Sequence, residues 1–175
     1  MTSTATETTG TGERADLIET LDSHRWFLTH TVQGLTDAQA RLRPTVSELT
    51  LGGLVKHVTA TERMWAEFVV HGPATFPAFD ESTMADWAAE FVMQPTETLA
   101  GLLAEYAEVG RRTDELVAGL PDLDAAHPLP EAPWFTPGAT RSARRVFLHL
   151  IAETAQHAGH ADILRESIDG QKTMG

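Results

Sequence analysis

Four long stretches of this chain space their large apolar residues three and four apart, and none shows sustained alternation of apolar and polar residues. That period marks one face of an α-helix and points to helices packed on helices. The first stretch runs from Glu13 to about Val32, with Leu17, Leu21, Leu28 and Val32 on one face. Thr36 is then placed to cap a short helix through Leu42, which Arg43-Pro44 ends. Thr50 caps the second long stretch, which presents Leu51, Leu54, Val58, Trp65, Phe68 and Val69 and closes at His71-Gly72-Pro73. A loop over 72–82 leads to a short helix, Thr83–Val92, with Ser82 as its expected cap. Pro95 suits the first turn of the third long stretch, whose stripe is Leu99, Leu102, Tyr106, Val109, Thr113, Leu116 and Leu120. Residues 121–139 hold five of the nine prolines and no consistent period, so they read as a long loop. The fourth helix is expected from Thr140 or Ser142 to Ser167. The expected fold is all-α: a four-helix bundle with long connecting loops and short accessory helices.

One domain over 13–169 is expected. Residues 1–12 are rich in Thr, Ser and Gly and are expected to form a disordered tail, with 170–175 as a frayed end. The chain has no cysteine, which excludes a disulfide scaffold, an iron–sulfur centre and a cysteine nucleophile. Any metal must sit on His, Asp or Glu. The formal charge of −12 disfavours a nucleic-acid surface. No apolar run reaches the length of a membrane span, and the first residues lack the basic and apolar regions of a secretory signal. A cytoplasmic protein with no membrane association is the expectation.

The fourth stretch carries the chemistry. Val146, Leu150, Glu153, His157, His160 and Leu164 follow one another at steps of 4, 3, 4, 3 and 4. The ends of this stripe are aliphatic and its centre is ionisable. If it faces the bundle interior, three titratable groups are buried together, and a bound cation is one way to offset that cost. Glu153 and His157 lie one turn apart on the same face, which is how helices present two ligands to one metal. A hydrogen-bonded surface pair would share that spacing. His57, beside the apolar face of the second helix, is a candidate third ligand. His57, Glu153 and His157 would form a His₂Glu set with open positions, suited first to zinc and also to nickel or iron.

Two segments, LTDAQARLRPTVSELTLGGLVKHVTATERMW and FLHLIAETAQHAGHADILRESIDG, resemble the DinB-like four-helix-bundle superfamily. The resemblance is to its actinobacterial branch of mycothiol-dependent enzymes and covers nearly the whole chain after the tail. It implies metal ligands at His57, Glu153 and His157, with Glu153 where many members carry His. It also implies a divalent metal and a low-molecular-weight thiol such as mycothiol as cofactors. The implied partners are that thiol and an electrophilic substrate, in a thiol S-transferase or thiol-dependent isomerase. His160 is then a candidate catalytic group for proton transfer or a fourth ligand, or a residue that only stands behind the ligands or at the rim. Metal-dependent hydrolysis and a non-catalytic ligand-binding or dimerisation bundle remain alternative functions, and a homodimer stays open.

Other residues have plainer expectations. Glu62 should form a salt bridge, with Arg25 as a candidate partner. Arg141, Arg144 and Arg145 fall opposite the stripe and read as a solvated face rather than an anion site. His24, His30, His71 and His127 read as surface residues, and His149 as a packing residue or a partner in a helix–helix hydrogen bond. Trp87 and Trp134 could line a pocket mouth or simply pack the loops.

Overall fold

The computed structural model describes residues 12–77 and 81–173. The tail expected to be disordered lies outside the described residues except for Gly12, as do the last two residues of the expected frayed end. Six helices appear among the described residues: α1 (Glu13–Thr31), α2 (Asp37–Ala40), α3 (Leu51–His71), α4 (Glu81–Glu90), α5 (Leu99–Gly119) and α6 (Ala143–Asp169). A 3-10 turn follows α3 over Gly72–Thr75. The fold is the expected all-α bundle, and no described helix is long and apolar enough to cross a membrane.

The caps explain most boundaries. Thr36 forms a reciprocal capping box with Gln39, and Thr50 accepts the Gly53 N–H at 3.1 Å. Ser142 starts α6 by accepting the Arg145 N–H at 3.2 Å. Two expected starts are corrected. Thr98, not Pro95, begins α5, because its hydroxyl accepts the Gly101 N–H and satisfies an otherwise open donor. Ser82 lies inside α4, which begins at Glu81.

A third correction concerns strands. Ala126–Pro128 (β1) pairs antiparallel with Thr140–Ser142 (β2), setting His127 opposite Arg141. Three-residue strands are too short to show alternation. The ladder ties the 120–142 connection down and delivers the chain into α6.

The long helices α1, α3, α5 and α6 close a ring in which α1 and α3 each pack against both α5 and α6. The connection between α1 and α3, which carries α2, therefore crosses the bundle end. So does the connection between α5 and α6. The apolar interior falls into two clusters. One gathers Leu28, Val32, Leu54, Val58, Tyr106 and Leu164. The other gathers Leu21, Trp65, Phe68, Val117, Phe147 and Leu150.

Between them runs a polar belt. Arg25 reaches from α1 to Glu62 on α3, donating from Nε to Oε2 at 3.2 Å and from Nη2 to Oε1. It also meets Asp114 on α5 at 2.8 Å and Asp22 at 2.6 Å. The expected Glu62 salt bridge is therefore present, with Arg25 as its partner. The other side of the belt, between α3 and α6, holds His57, Glu153 and His157.

Gly53 sets the approach of the chain beyond α4 to this region. A Cβ there would lie 1.9 Å from the Phe91 carbonyl oxygen. A backbone atom cannot rotate away, so the segment after α4 would have to move. Gly53→Ala is expected to cost about 2–3 kcal/mol, the upper part of the usual overpacking range. Chemical denaturation checks this, and an unchanged midpoint would contradict the tight approach.

Candidate metal centre

His57 is one helical turn beyond Gly53 on α3, and Glu153 and His157 are one turn apart on α6. The expected stripe does face inward: Val146, Leu150 and Leu164 are buried, His157 is buried, and Glu153 and His160 are half-buried. One ligand atom from each of His57, Glu153 and His157 lies within 4.8 Å of the others. Glu153 Oε1 is 3.5 Å from His57 Nε2 and 3.4 Å from His157 Nε2. Both separations exceed a good N–H···O hydrogen bond. The three side chains thus converge on a common point without bonding one another tightly, an arrangement that fits a cation between them.

The imidazoles are held from behind. Phe91 stacks on His57 with ring centroids 3.9 Å apart, and His57 meets His157 edge-on at 4.9 Å. His57 Nδ1 is buried without a hydrogen-bond partner and lies 3.8 Å from Glu90 Oε2. His157 Nδ1 is 3.5 Å from His160 Nδ1. Metal-bound histidines use the second ring nitrogen in this way, turning it toward a carboxylate or another polar group. His160 therefore meets His157, and it is absent from the wall of the adjoining cavity.

The charges reinforce one another. His157 and His57 hold the Glu153 carboxyl well below the usual carboxylate range. Burial disfavours a charged His57 ring, but Glu153 and Glu90 outweigh it and raise its pKa above the ordinary value. Burial, and then the charge of Arg141, lower that of His149.

A cavity of about 310 Å³ opens beside Glu153 and His57. Its wall is aromatic, with Trp65, Phe76, Trp87, Phe91, Trp134 and Phe135, and it also includes Glu90, Arg141 and His149. Trp87 and Trp134, whose rings lie 5.4 Å apart, thus line a pocket, as one of the two expectations had it. His149 packs edge-on against Trp65 at 5.1 Å.

Two expectations fail here. Arg141 is not on a solvated face: its guanidinium lies 4.4 Å from the centre of the Trp65 ring. Extending the helical wheel back to residue 141 fails because that residue is in β2. Arg144, half-buried and paired with Glu13 and Asp124, and the exposed Arg145 do stay clear of the cavity. His127, expected at the surface, is half-buried with its ring 5.7 Å from Phe68. Sequence reasoning also missed Glu90 and Phe91, since nothing local tells that α4 folds back over His57.

Comparison with known proteins agrees with the fold and with the resemblance drawn from the two anchor segments. A family model described as mycothiol-S-transferase matches residues 16–170, within the DinB-like superfamily. A crystal structure of a conserved protein from Enterococcus faecalis superposes with a TM-score of 0.68 at 15% identity. The alignment covers 93% of this chain and 100% of that one, and at this identity it speaks for the fold alone. No curated protein matches the chain.

Proposed function

We propose that this chain, which belongs to the mycothiol S-transferase family, binds one divalent cation and transfers a small thiol to an electrophile. His57, Glu153 and His157 are the ligands in this reading. Zinc suits the set first, and nickel or iron would also fit it. The observation that carries the reading is the convergence of these three side chains at the edge of an aromatic cavity.

A cation held there would act as a Lewis acid that keeps a bound thiol ionised at neutral pH. The chain has no cysteine of its own, so the sulfur must come from a cofactor such as mycothiol. Such a thiol would supply a nucleophilic sulfur for an electrophilic carbon, whose leaving group would depart with its electron pair while the thiol proton would pass to water. The protein's part is positioning. Glu90 and His160 lie at the Nδ1 sides of His57 and His157 and orient the rings. Phe91 covers His57 and keeps water from that face. The aromatic wall receives the electrophile. His160, a candidate for proton transfer, acts in this reading through His157, as a positioning residue.

The test pairs two measurements on zinc-loaded protein. Mycothiol should raise the melting temperature, and thiol conjugation to a model electrophile such as monobromobimane should require both zinc and mycothiol. Zinc-dependent ester cleavage without thiol would replace this function with hydrolysis. No thiol effect in either assay would leave a non-catalytic bundle.

A further inference from the structure

Arg141 stands apart from the other buried or half-buried arginines. Arg25 and Arg165 pair with carboxylates, Arg41 donates to carbonyls of Asp37, Gln94 and Glu97, and Arg144 meets Glu13 and Asp124. Among the described residues no carboxylate pairs with Arg141, and its Nη1 is buried with no hydrogen-bond partner. Its guanidinium lies 4.4 Å from the centre of the Trp65 ring and 5.6 Å from that of Phe135. A half-buried guanidinium with a buried N–H group left unpartnered is costly to keep. Here the cost is built in by a deliberate piece of structure, the β1–β2 ladder, which turns residue 141 inward just before α6 begins. The same side chain lines the cavity that holds Glu153 and His57.

We propose that Arg141 is the anion-binding residue of this cavity and that the acceptor is a small planar carboxylate with an aromatic or otherwise unsaturated body. The proposal rests on the proposed transferase function, whose electrophile it specifies. Three features select this ligand class. With aromatic rings beside it, the guanidinium has its N–H edge left to recognise a partner, and that edge matches a planar carboxylate better than a point charge would. The cavity, at about 310 Å³, is near the lower limit for small-molecule sites and suits a single ring with short substituents. Its rings offer stacking surfaces to a flat, apolar body. His149, whose charge burial and Arg141 both disfavour, adds a neutral group to the same wall.

The experiment uses the full chain stripped of metal, so that no cation can bind the probe. Benzoate and its neutral isostere benzamide are titrated while tryptophan indole N–H signals are followed by NMR. The wild-type protein is expected to bind benzoate at least about 10-fold more tightly, as suits a charge-assisted hydrogen bond. Arg141→Gln should abolish that preference. Arg141→Lys should reduce it, because the charge stays and the fork is lost. If Arg141→Gln does not fold, the Lys variant decides. Equal binding of the two probes by the wild type would overturn the proposal, as would a preference unchanged in the folded variants. Zinc affinity is measured on the same wild-type protein. Failure to bind zinc with the benzoate preference intact would sink the metal reading alone, and the reverse pattern would sink this one alone.

Discussion

Metal-free protein titrated with zinc is expected to bind one ion per chain. His57→Ala, Glu153→Ala and His157→Ala should each weaken that binding by at least about 100-fold, beyond the roughly 10–100-fold typical of losing an outer partner. His160→Ala, which removes only the group behind His157, should fall within that smaller range. Calorimetric titration with metal analysis of the dialysed protein separates the two cases. Stoichiometric zinc retained by His57→Ala would show that the ligand set is wrong.

pH supplies a second readout. The His57 pKa is raised above 6.5, so its pairing stabilises the metal-free fold fully below that value and fades as pH rises through the raised one. The Glu153 pKa is lowered from 4.5, so its contribution is present above 4.5 and is lost as pH falls through the lowered value. Together they favour the metal-free protein most between about pH 4.5 and 6.5. A cation needs neutral imidazoles and must displace the His57 proton. The rise in melting temperature on adding zinc should therefore be small near pH 5 and grow through about pH 6–8.

The second large effect is on stability. Arg25→Met leaves Glu62, only 1% exposed, buried without its cation, and Glu62→Leu leaves Arg25 short of its most buried partner. Each is expected to destabilise the fold by about 3–5 kcal/mol, and the double replacement by far less, because it removes both charges together. For a domain of this size the single variants should melt about 10 °C lower. Urea unfolding of the four proteins completes the double-mutant cycle, and singles that add to the double would show no coupling. The pair also bears on the candidate metal centre. Glu62 and His57 lie on different faces of α3, so the Arg25 contact helps set the rotation at which His57 meets α6.

The parts of this fold legible from sequence are local ones. Thr36, Thr50 and Ser142 mark helix starts because a hydroxyl beside open backbone donors acts within a few residues. Glu153 and His157 share a face because the helical period alone brings them together. The misplaced start at Pro95 has the same origin: two capping chemistries compete over four residues, and Thr98 forms the actual cap. His57 could be nominated from its place beside an apolar face, but nothing local says that this face meets α6.

By itself, then, the sequence determined that the chain would be four amphipathic helices, where most begin, and that one carries a Glu-His-His centre in an apolar stripe. The physical reason is that a 3.6-residue period and a cap are read within one or two turns. Only the tertiary structure decided that α1 and α3 sit diagonally across the bundle, that α4 and the residue after it bring Glu90 and Phe91 onto His57, and that Arg141 turns inward. Those outcomes depend on residues far apart in the chain, such as the pairing of 126–128 with 140–142, and no local period encodes them.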